Sequence, residues 1–366
     1  MKISILLPYK ENFSPEYPGA VSLFVYETTR ISKFKKNITV FGNTNFKKKF
    51  NLKYKNIDLK KNLFSSQTKN YVKKFIDLER KNNSTIIEVH NRPSYIHILS
   101  KEIRKKILTL YFHNDPLSMD GSQTIRERKD ILKTCYKIIF NSSWSKKRFL
   151  EGLENKFVNS DKLLVFHQSA QKGSLKLINS KKKWITFVGK LNKAKGFDVF
   201  ASSIKKILNK YPDWRAKIIG DEKREKITLN HNRADLLGFK KHNEVLKIFK
   251  KSNIAVACSR WEEPFGRTSL EASANGCAVI ITNKGGLPET VTDAKILKKL
   301  NVKSLTSTLD YLIKNKPVRK RLQKLSIKNF YLTHKFVTTL MDNYRSEKII
   351  RFWFQNSVRG ISRFYT

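Results

Sequence analysis

Two glutamates in the C-terminal half stand where they could bind a polyol together. Glu263 and Glu271 are eight residues apart, slightly more than two helical turns, so a helix beginning at Pro264 would turn both carboxylates towards one cleft. A carboxylate accepts hydrogen bonds from vicinal hydroxyl groups such as those of a sugar. The plainer alternative is that Glu263 only favours a helix N-terminus and that Glu271 lies on a solvated face.

The start of the same helix predicts a site for an anion. Pro264 is tolerated at a first helical position, and Gly276 supplies the left-handed residue that ends many helices. The first N–H groups of a helix have no partner within it and carry a partial positive charge. Here they belong to Phe265, Gly266, Arg267 and Thr268. Such a segment suits a phosphate group or a ring of sugar hydroxyls.

Two lysines after a strand-like run predict a diphosphate site. Lys190 and Lys195 are five residues apart and follow the apolar run Trp184–Val188. Lysine ammonium groups act as point charges, so both can converge on a diphosphate without a particular orientation. The alternative is that both lysines occupy ordinary surface positions, since the chain is rich in lysine.

A histidine and a glycine in the N-terminal half complete the candidate set. His113 ends the strand-like run Leu110–His113. A side chain at the end of a strand in an open parallel sheet lies over the crevice where ligands bind. Gly19 lies in the turn before the helical run Leu23–Ile31. Taken by itself it fits a plain strand-to-helix turn.

Several of these segments together resemble the signature of the family 4 glycosyltransferases. The matching residues are Glu263–Gly266, Leu270–Ala272, Gly276 and Gly285–Glu289, with Phe187–Leu191 and Lys195–Asp198 as a second match. The resemblance implies a retaining enzyme that uses a nucleotide sugar. It also implies the GT-B fold, an α/β architecture in which two Rossmann-like parallel-sheet domains face each other across a cleft.

The resemblance further implies a role for each candidate residue. Glu263 would lie beside the transferred sugar and His113 would contact the same sugar, and we designate these two as catalytic. The donor-binding residues would be Gly19, Lys190, Lys195, Leu237, Phe265, Gly266, Arg267, Thr268 and Glu271. Among them, Glu271 would hold the ribose of the nucleotide, and the main chain around Leu237 would contact its base.

The hydrophobic pattern agrees with an α/β fold. Short apolar runs rich in Ile, Val and Phe alternate with stretches of helical spacing, which is typical of parallel sheets covered by helices on both faces. The candidate strands are 3–7, 38–41, 86–90, 107–113, 137–141 and 163–167, followed by 184–188, 216–219, 253–258 and 278–282.

Length and composition indicate two domains. A chain of 366 residues is long enough for two hydrophobic cores. We predict an N-terminal Rossmann-like, acceptor-binding domain over 1–170, a polar linker over 171–183, and a C-terminal nucleotide-sugar-binding domain over 184–335. A C-terminal helix and tail, 336–366, with Phe336, Leu340 and Tyr344 on one stripe, would cross back to the N-terminal domain, as the resemblance implies.

The sequence offers no pattern for a bound metal. It contains no Asp-x-Asp pair, no Cys and His cluster with zinc spacing, and no GxxxxGK[ST] phosphate loop. We therefore expect no metal ion and no cofactor besides the nucleotide diphosphate sugar, which is the donor substrate. Lys190, Lys195 and the helix start at Phe265 would neutralise the diphosphate.

The net charge of the chain and its cysteines indicate where in the cell the protein is expected. The chain carries 75 Lys and Arg against 30 Asp and Glu, a net charge of +45, which indicates either a solvated lysine surface or an anionic partner. Aromatic and Arg residues share the tail Arg351–Thr366, so that partner could be an anionic membrane that presents a lipid-linked acceptor. Cys135, Cys258 and Cys277 are predicted to be buried thiols in a reducing compartment.

These observations predict a cytoplasmic enzyme, with peripheral contact to the inner face of the cell membrane as an open alternative. No apolar run is long enough for a signal peptide or a membrane span. The hydroxyl acceptor would be lipid-linked or a polysaccharide, in cell-surface polysaccharide or glycolipid synthesis. The alternatives are a GT-B nucleotide-sugar epimerase and a basic nucleic-acid-binding protein, although no nucleic-acid-binding motif is visible and no nucleic acid is expected.

Overall fold

The computed structural model describes residues 1–59, 66–103 and 106–361, with side chains described up to residue 347. The predicted membrane contact of the tail Arg351–Thr366 therefore concerns side chains outside the described residues. None of the helices in the described ranges is long and apolar enough to cross a bilayer.

The first sheet contains seven parallel strands. In chain order they are β1 (Ile3–Leu6), β2 (Ile38–Gly42), β3 (Tyr54–Asn56), β4 (Ile86–His90), β5 (Ile107–Phe112), β6 (Lys137–Phe140) and β7 (Leu163–Val165). Their order across the sheet is β3-β2-β1-β4-β5-β6-β7, so the direction of winding reverses between β1 and β4. In such sheets ligands bind beyond the carboxyl ends of the strands near the reversal.

The second sheet contains six parallel strands with a similar plan. They are β8 (Lys182–Val188), β9 (Arg215–Ile219), β10 (Ala234–Leu236), β11 (Ser252–Ala257), β12 (Ala278–Thr282) and β13 (Ala294–Leu297). Their order is β10-β9-β8-β11-β12-β13, with the reversal between β8 and β11. The two open parallel sheets confirm the predicted fold class.

Eleven α-helices in the described ranges cover the sheets. They are α1 (Ala20–Thr29), α2 (Gln67–Asn82), α3 (Ser94–Glu102), α4 (Ile125–Thr134), α5 (Ser143–Leu150), α6 (Phe197–Lys210), α7 (His242–Lys251), α8 (Arg267–Ala274), α9 (Val302–Lys314), α10 (Lys316–Lys328) and α11 (His334–Ile361). In α6, Phe197, Phe200 and Ile204 recur at helical spacing and are fully buried beside Phe187 of β8.

All ten predicted strands are present, with ends within two residues of the prediction. The prediction missed β3, β10 and β13, each of which has three or four residues and contains exposed or half-buried positions. All three lie at a sheet edge, where one side of the strand has no neighbour to bury it. They therefore lack the continuous apolar run on which the prediction depended.

Helix α11 packs against the first sheet through buried charges. Arg345 donates two hydrogen bonds to Glu88 of β4, of 2.8 and 2.7 Å, and both side chains are 0% exposed. Asp342 accepts hydrogen bonds from the Ser32 hydroxyl and the Lys33 amide, at 2.6 and 2.8 Å. The predicted domain limits, including a final segment from 336, stay a prediction.

The buried stripe of α11 differs from the predicted one. Val337, Met341 and Tyr344 are buried against the first sheet, whereas Phe336 is 42% exposed. The expectation that Phe336 belongs to the buried stripe is therefore wrong. Its ring packs edge-on against Tyr331, with 5.6 Å between the ring centroids, instead of entering the core.

The three cysteines lie in the cores of the two sheets. Cys135, Cys258 and Cys277 are free and buried, and burial raises the pKa of the Cys135 and Cys258 thiols to about 12. The prediction of buried thiols is confirmed, and the compartment stays a prediction.

Removing one member of the buried ion pair should destabilise the fold strongly. Arg345→Ala leaves the Glu88 carboxylate buried without its partner, so we expect a loss of about 3–5 kcal/mol in the free energy of unfolding. Urea unfolding followed by circular dichroism measures this loss. The matched control is Arg80→Ala, which removes an exposed pair with Glu102 at 3.2 Å and should cost less than about 1 kcal/mol. Equal losses in the two variants would contradict this account.

Candidate functional site

A cavity of about 270 Å³ opens between the carboxyl ends of the two sheets. His113 lines it just beyond β5, Gly189 just beyond β8 and Cys258 just beyond β11. Seven of the predicted site residues line this cavity: His113, Lys195, Glu263, Phe265, Gly266, Arg267 and Thr268. Four do not: Gly19, Lys190, Leu237 and Glu271.

A glycine shapes the loop that delivers α8 to the cavity. Gly266 has φ +120°, where other residues are strained, and a Cβ atom there would lie 2.5 Å from Leu287 Cδ2. Because this conformation is not helical, α8 begins at Arg267. The prediction that the helix begins at Pro264 is wrong by three residues. The start of α8 nevertheless lies at the cavity wall, as the sequence predicted.

An ion pair crosses one side of the cavity. Lys195 Nζ lies 2.5 Å from Glu263 Oε1 and 5.1 Å from the centroid of the Trp261 ring. Glu263 is buried and Lys195 is half-buried, so the pair has limited access to water. A phosphate group that binds Lys195 therefore competes with Glu263 for its charge.

An arginine whose side chain is 12% exposed joins the two halves of the molecule at the cavity wall. Arg267 of α8 donates from Nη2 to both carboxylate oxygens of Glu27 of α1, at 2.8 and 2.7 Å. Its Nε lies 2.6 Å from Glu271 Oε1, and the same oxygen lies 2.8 Å from His242 Nε2. Glu271 is thus buried inside an ionic network. The alternative that it lies on a solvated face is wrong, and its ribose role stays a prediction.

The network favours the charged forms of Glu271 and Arg267. Burial by itself raises the pKa of Glu271, but the charges of Arg267 and His242 and their hydrogen bonds hold that pKa below 4.5. Burial likewise lowers the pKa of Arg267, and the carboxylates of Glu27 and Glu271 outweigh it, so the pKa is raised. Two carboxylates therefore hold one guanidinium at the cavity wall.

Polar contacts hold His113 at the end of β5. The amides of His113 and Asn114 donate to Asn91 Oδ1, at 3.0 and 3.1 Å, and Asn141 Nδ2 donates to the His113 carbonyl at 2.9 Å. His113 Nε2 lies 3.0 Å from His90 Nδ1. Burial lowers the pKa of His113 to about 3, so its ring is neutral near pH 7.

Gly19, the predicted site residue nearest the N-terminus, makes room for a contact within the N-terminal half of the chain. A Cβ atom at Gly19 would collide with the carboxylate of Glu11, which accepts a hydrogen bond from the Ser22 amide at 2.9 Å. The Glu11 carboxylate therefore occupies the start of α1. Gly19 makes room for it, in keeping with the plain-turn alternative.

The remaining two candidates lie outside the cavity wall. Lys190 is exposed. The Leu237 amide donates to the Ile218 carbonyl at 2.8 Å, as part of the strand pairing. Two residues further on, Phe239 stacks on Tyr17 from the first half, with 4.5 Å between ring centroids. This aromatic pair joins loops that follow β1 and β10.

Further contacts join the two halves behind the cavity. The Ser142 hydroxyl donates to the Pro264 carbonyl at 2.6 Å. Glu289 accepts from the amides of Ser143 and Trp144, at 2.7 and 3.0 Å, and so caps α5 from the other half. These contacts, with the Arg267 pair, hold the walls of the cavity at a defined separation.

The sequence analysis missed three residues of the site. Glu27 and His242 have no local signal, because their role comes only from the partners Arg267 and Glu271, which are distant in sequence. Trp261 stands two residues before the matched segment that begins at Glu263, and this nearness was its signal in the sequence; its cation–π contact with Lys195 comes only from the fold.

Comparison with known proteins finds a family match in the C-terminal half of the chain. Residues 172–329 match the family described as glycosyl transferases group 1. The segment contains the predicted Lys195, Glu263 and Glu271. The C-terminal half is therefore similar to the group 1 glycosyl transferases, and the two-sheet architecture is that of the GT-B fold.

Two curated relatives and one solved structure extend this result. Spore coat protein SA of Bacillus subtilis (strain 168) is 24% identical over 68% of this chain and 74% of its own length. One component of the phosphatidylinositol N-acetylglucosaminyltransferase of Homo sapiens is 33% identical over 35% of this chain and 28% of its own length. The fold resembles Anabaena Alr3699/HepE in complex with UDP and glucose, with a TM-score of 0.73, 15% identity, and coverage of 94% of this chain and 99% of that one.

The Glu271 network should stabilise the protein in a pH-dependent way. Glu271→Gln removes charge-assisted contacts, so we expect a loss of about 2 kcal/mol in the free energy of unfolding near neutral pH. Because the folded-state pKa of Glu271 is held below 4.5, its contribution is complete above the unfolded-state pKa. It declines as the pH falls through the folded-state value.

The difference in the free energy of unfolding between wild type and Glu271→Gln should therefore shrink below about pH 4.5. Urea unfolding at a series of pH values, from about pH 6 to about pH 3, measures it. Glu102→Gln, at an exposed carboxylate paired with Arg80, is the control and should change little at any pH. A wild-type advantage that stays constant across the series would contradict the proposed ionic role.

Proposed function

We propose that this chain is a retaining glycosyltransferase that moves a sugar from a nucleotide diphosphate to a hydroxyl acceptor. The observation that carries the proposal is one cavity that brings Lys195, Glu263, the start of α8 and His113 together from both sheets. The bound UDP and glucose in the HepE structure support a nucleotide sugar as the donor.

The geometry suggests how the donor would be held. The diphosphate would lie between Lys195 and the start of α8, where a cation and helix N–H groups favour negative charge. As Lys195 turned to the phosphate, its pair with Glu263 would open and free that carboxylate for the sugar hydroxyls. The proposal assigns the neutralising charge to the protein and needs no metal ion.

The reaction would exchange one bond at the anomeric carbon for another. The bond from this carbon to the diphosphate oxygen breaks, and a bond to the acceptor oxygen forms on the same face. The departing diphosphate takes the proton of the acceptor hydroxyl. Lys195 and the start of α8 would stabilise the charge that develops on the diphosphate, while Glu263 and His113 position the sugar.

The remaining donor assignments depend on local rearrangement. Glu271 Oε1 already contacts Arg267 and His242, so a ribose at Glu271 would use Oε2 or displace His242. Lys190 and the main chain at Leu237 would meet the nucleotide beyond the present cavity wall, as would Gly19 if it contacts the donor.

The acceptor would bind the N-terminal half and is proposed to be lipid-linked or a polysaccharide. The match to the human N-acetylglucosaminyltransferase component, whose name specifies phosphatidylinositol, supports a lipid-linked acceptor. The net charge of +45 would favour a cytoplasmic location at the anionic inner face of a membrane.

Replacing the cavity lysine should weaken donor binding. Lys195→Ala removes a cation that lines the cavity, and we expect nucleotide diphosphate affinity to fall at least about 30-fold, from a loss of roughly 2 kcal/mol. Isothermal titration with UDP and GDP measures it. Lys193→Ala, at an exposed lysine two positions away, is the matched control. Unchanged affinity in a folded Lys195→Ala variant would refute the site.

A panel of nucleotide sugars would identify the donor and test the reaction. UDP, GDP, ADP and CMP sugars are added in turn, and a donor that binds only the folded chain raises its melting temperature. With the best donor, NMR analysis of the product should show the donor's anomeric configuration retained. An inverted product would contradict the retaining mechanism. If the donor sugar is isomerised when no acceptor is present, the result would indicate the nucleotide-sugar epimerase instead.

A further inference from the structure

An exposed tryptophan stands in the wall of the cavity. Trp261 lines the cavity and is 48% exposed. Of the four tryptophans whose side chains the structure describes, it is the only exposed one, because Trp214 is buried and Trp144 and Trp184 are half-buried. Aromatic side chains in a cavity wall are common contacts for a ligand. Trp261 is therefore a candidate for a ligand contact that the predicted site did not include.

Main-chain hydrogen bonds fix the loop that carries this indole. The amides of Arg260 and Trp261 donate to the Ala194 carbonyl, at 2.9 and 3.2 Å. The Ser259 hydroxyl donates to the same carbonyl at 3.0 Å. Because Ala194 directly precedes Lys195, the loops that carry the indole and the ammonium group are tied together. The backbone positions of Trp261 and Lys195 are set relative to each other before a ligand binds.

The Lys195 ammonium group covers part of the indole. Its Nζ atom lies over the Trp261 ring, 5.1 Å from the centroid, and the same atom lies 2.5 Å from Glu263 Oε1. The negative face of an aromatic ring attracts a cation, so the ring and the carboxylate share one ammonium group. A phosphate group that draws Lys195 to itself therefore uncovers the indole as well as the carboxylate.

An uncovered indole at this point suits the C–H face of a sugar ring. A pyranose carries hydroxyl groups around its rim, and on its faces it presents C–H bonds that the neighbouring oxygens polarise. The face of an indole is apolar and carries partial negative charge, so it complements those C–H bonds. The Glu263 carboxylate, two residues away in the same loop and in the same cavity wall, accepts hydrogen bonds from the rim. The loop thus offers both kinds of contact that a sugar can make.

We propose that Trp261 is a sugar-binding residue whose indole, covered by Lys195 until the diphosphate binds, stacks on the C–H face of the transferred sugar. This rests on the proposed function, which supplies the diphosphate and puts the sugar at Glu263. The order of events follows from the geometry. Lys195 turns to the diphosphate, the indole is uncovered, and the sugar ring takes its place. A monosaccharide without the diphosphate would find this face occupied.

Binding measurements on a matched pair of ligands test the stacking. The nucleotide sugar that gives the largest thermal shift and its own nucleoside diphosphate are titrated by calorimetry into wild type, Trp261→Ala and Trp261→Phe. We expect the affinity for the nucleotide sugar, relative to that for the nucleoside diphosphate, to fall about 5- to 10-fold in the Ala variant, because a ring contact is lost. The Phe variant keeps an aromatic face and should retain most of this ratio.

The results separate a contact with the sugar from a contact with the rest of the donor. Trp261→Ala should not lower the affinity for the nucleoside diphosphate, since the Lys195 cation is still present. Equal losses for both ligands would put the indole at the base or the diphosphate and would overturn the proposal. An unchanged ratio in the Ala variant would overturn it as well.

Indole fluorescence tests the uncovering step. The emission of Trp261 is the difference between wild type and Trp261→Phe, and we expect it to change with the nucleoside diphosphate and not with the free monosaccharide. The control is the difference between wild type and Trp184→Phe. The Trp184 ring also lies beneath a lysine, Lys217 at 4.4 Å, but it does not line the cavity, so its emission should stay constant. A Trp261 signal that ignores the bound nucleoside diphosphate, or that responds to the monosaccharide alone, would refute the covering role of Lys195.

Failure of this proposal can be told from failure of the proposed function. If wild type binds a nucleotide sugar and Trp261→Ala keeps the wild-type ratio, only the stacking role is refuted. If wild type binds neither a nucleoside diphosphate nor a nucleotide sugar, the proposed function fails and the role of Trp261 fails with it.

Discussion

The Arg267 guanidinium, held between carboxylates from the two halves, is the interaction on which the cleft depends. Removing an arginine and two glutamates from water is costly, and their attraction compensates only if the geometry is good. Here the Arg267 side chain donates to both oxygens of Glu27 and also meets Glu271. Breaking the contact would leave buried charges unpaired, so α1 and α8 keep their separation and the cavity keeps its width.

That constraint allows the reactive groups to be arranged in advance. Lys195 and Glu263 from the second half and His113 from the first line one cavity whose walls belong to different sheets. The contacts of its backbone hold His113 in place before a ligand binds, whereas the Lys195–Glu263 pair would open to receive one. The large positive charge of the whole chain contributes less to the electrostatics of the cavity, because exposed charges are screened by salt.

Whether a strand could be predicted from the sequence depended on how fully its residues are buried. Central strands such as β1 and β12 are buried along their whole length, so their apolar runs were readable, whereas β3 and β10 at the edges were not. Glu263 and Lys195 were found because their local segments match a family. Glu271 was also found, but its burial was not, because its contact with His242 and the contact of Arg267 with Glu27 join residues that are distant in sequence.

The sequence by itself determined the two parallel sheets, their central strands and the segments that meet at the cavity, because apolar periodicity and motif spacing are local properties of the chain. Only the tertiary structure decided which side chains became partners. Glu27 and Arg267 are 240 residues apart, and Arg345 and Glu88 are 257 apart. A pairing at that distance leaves no local trace, since it arises when folding brings the charges together and removes them from water.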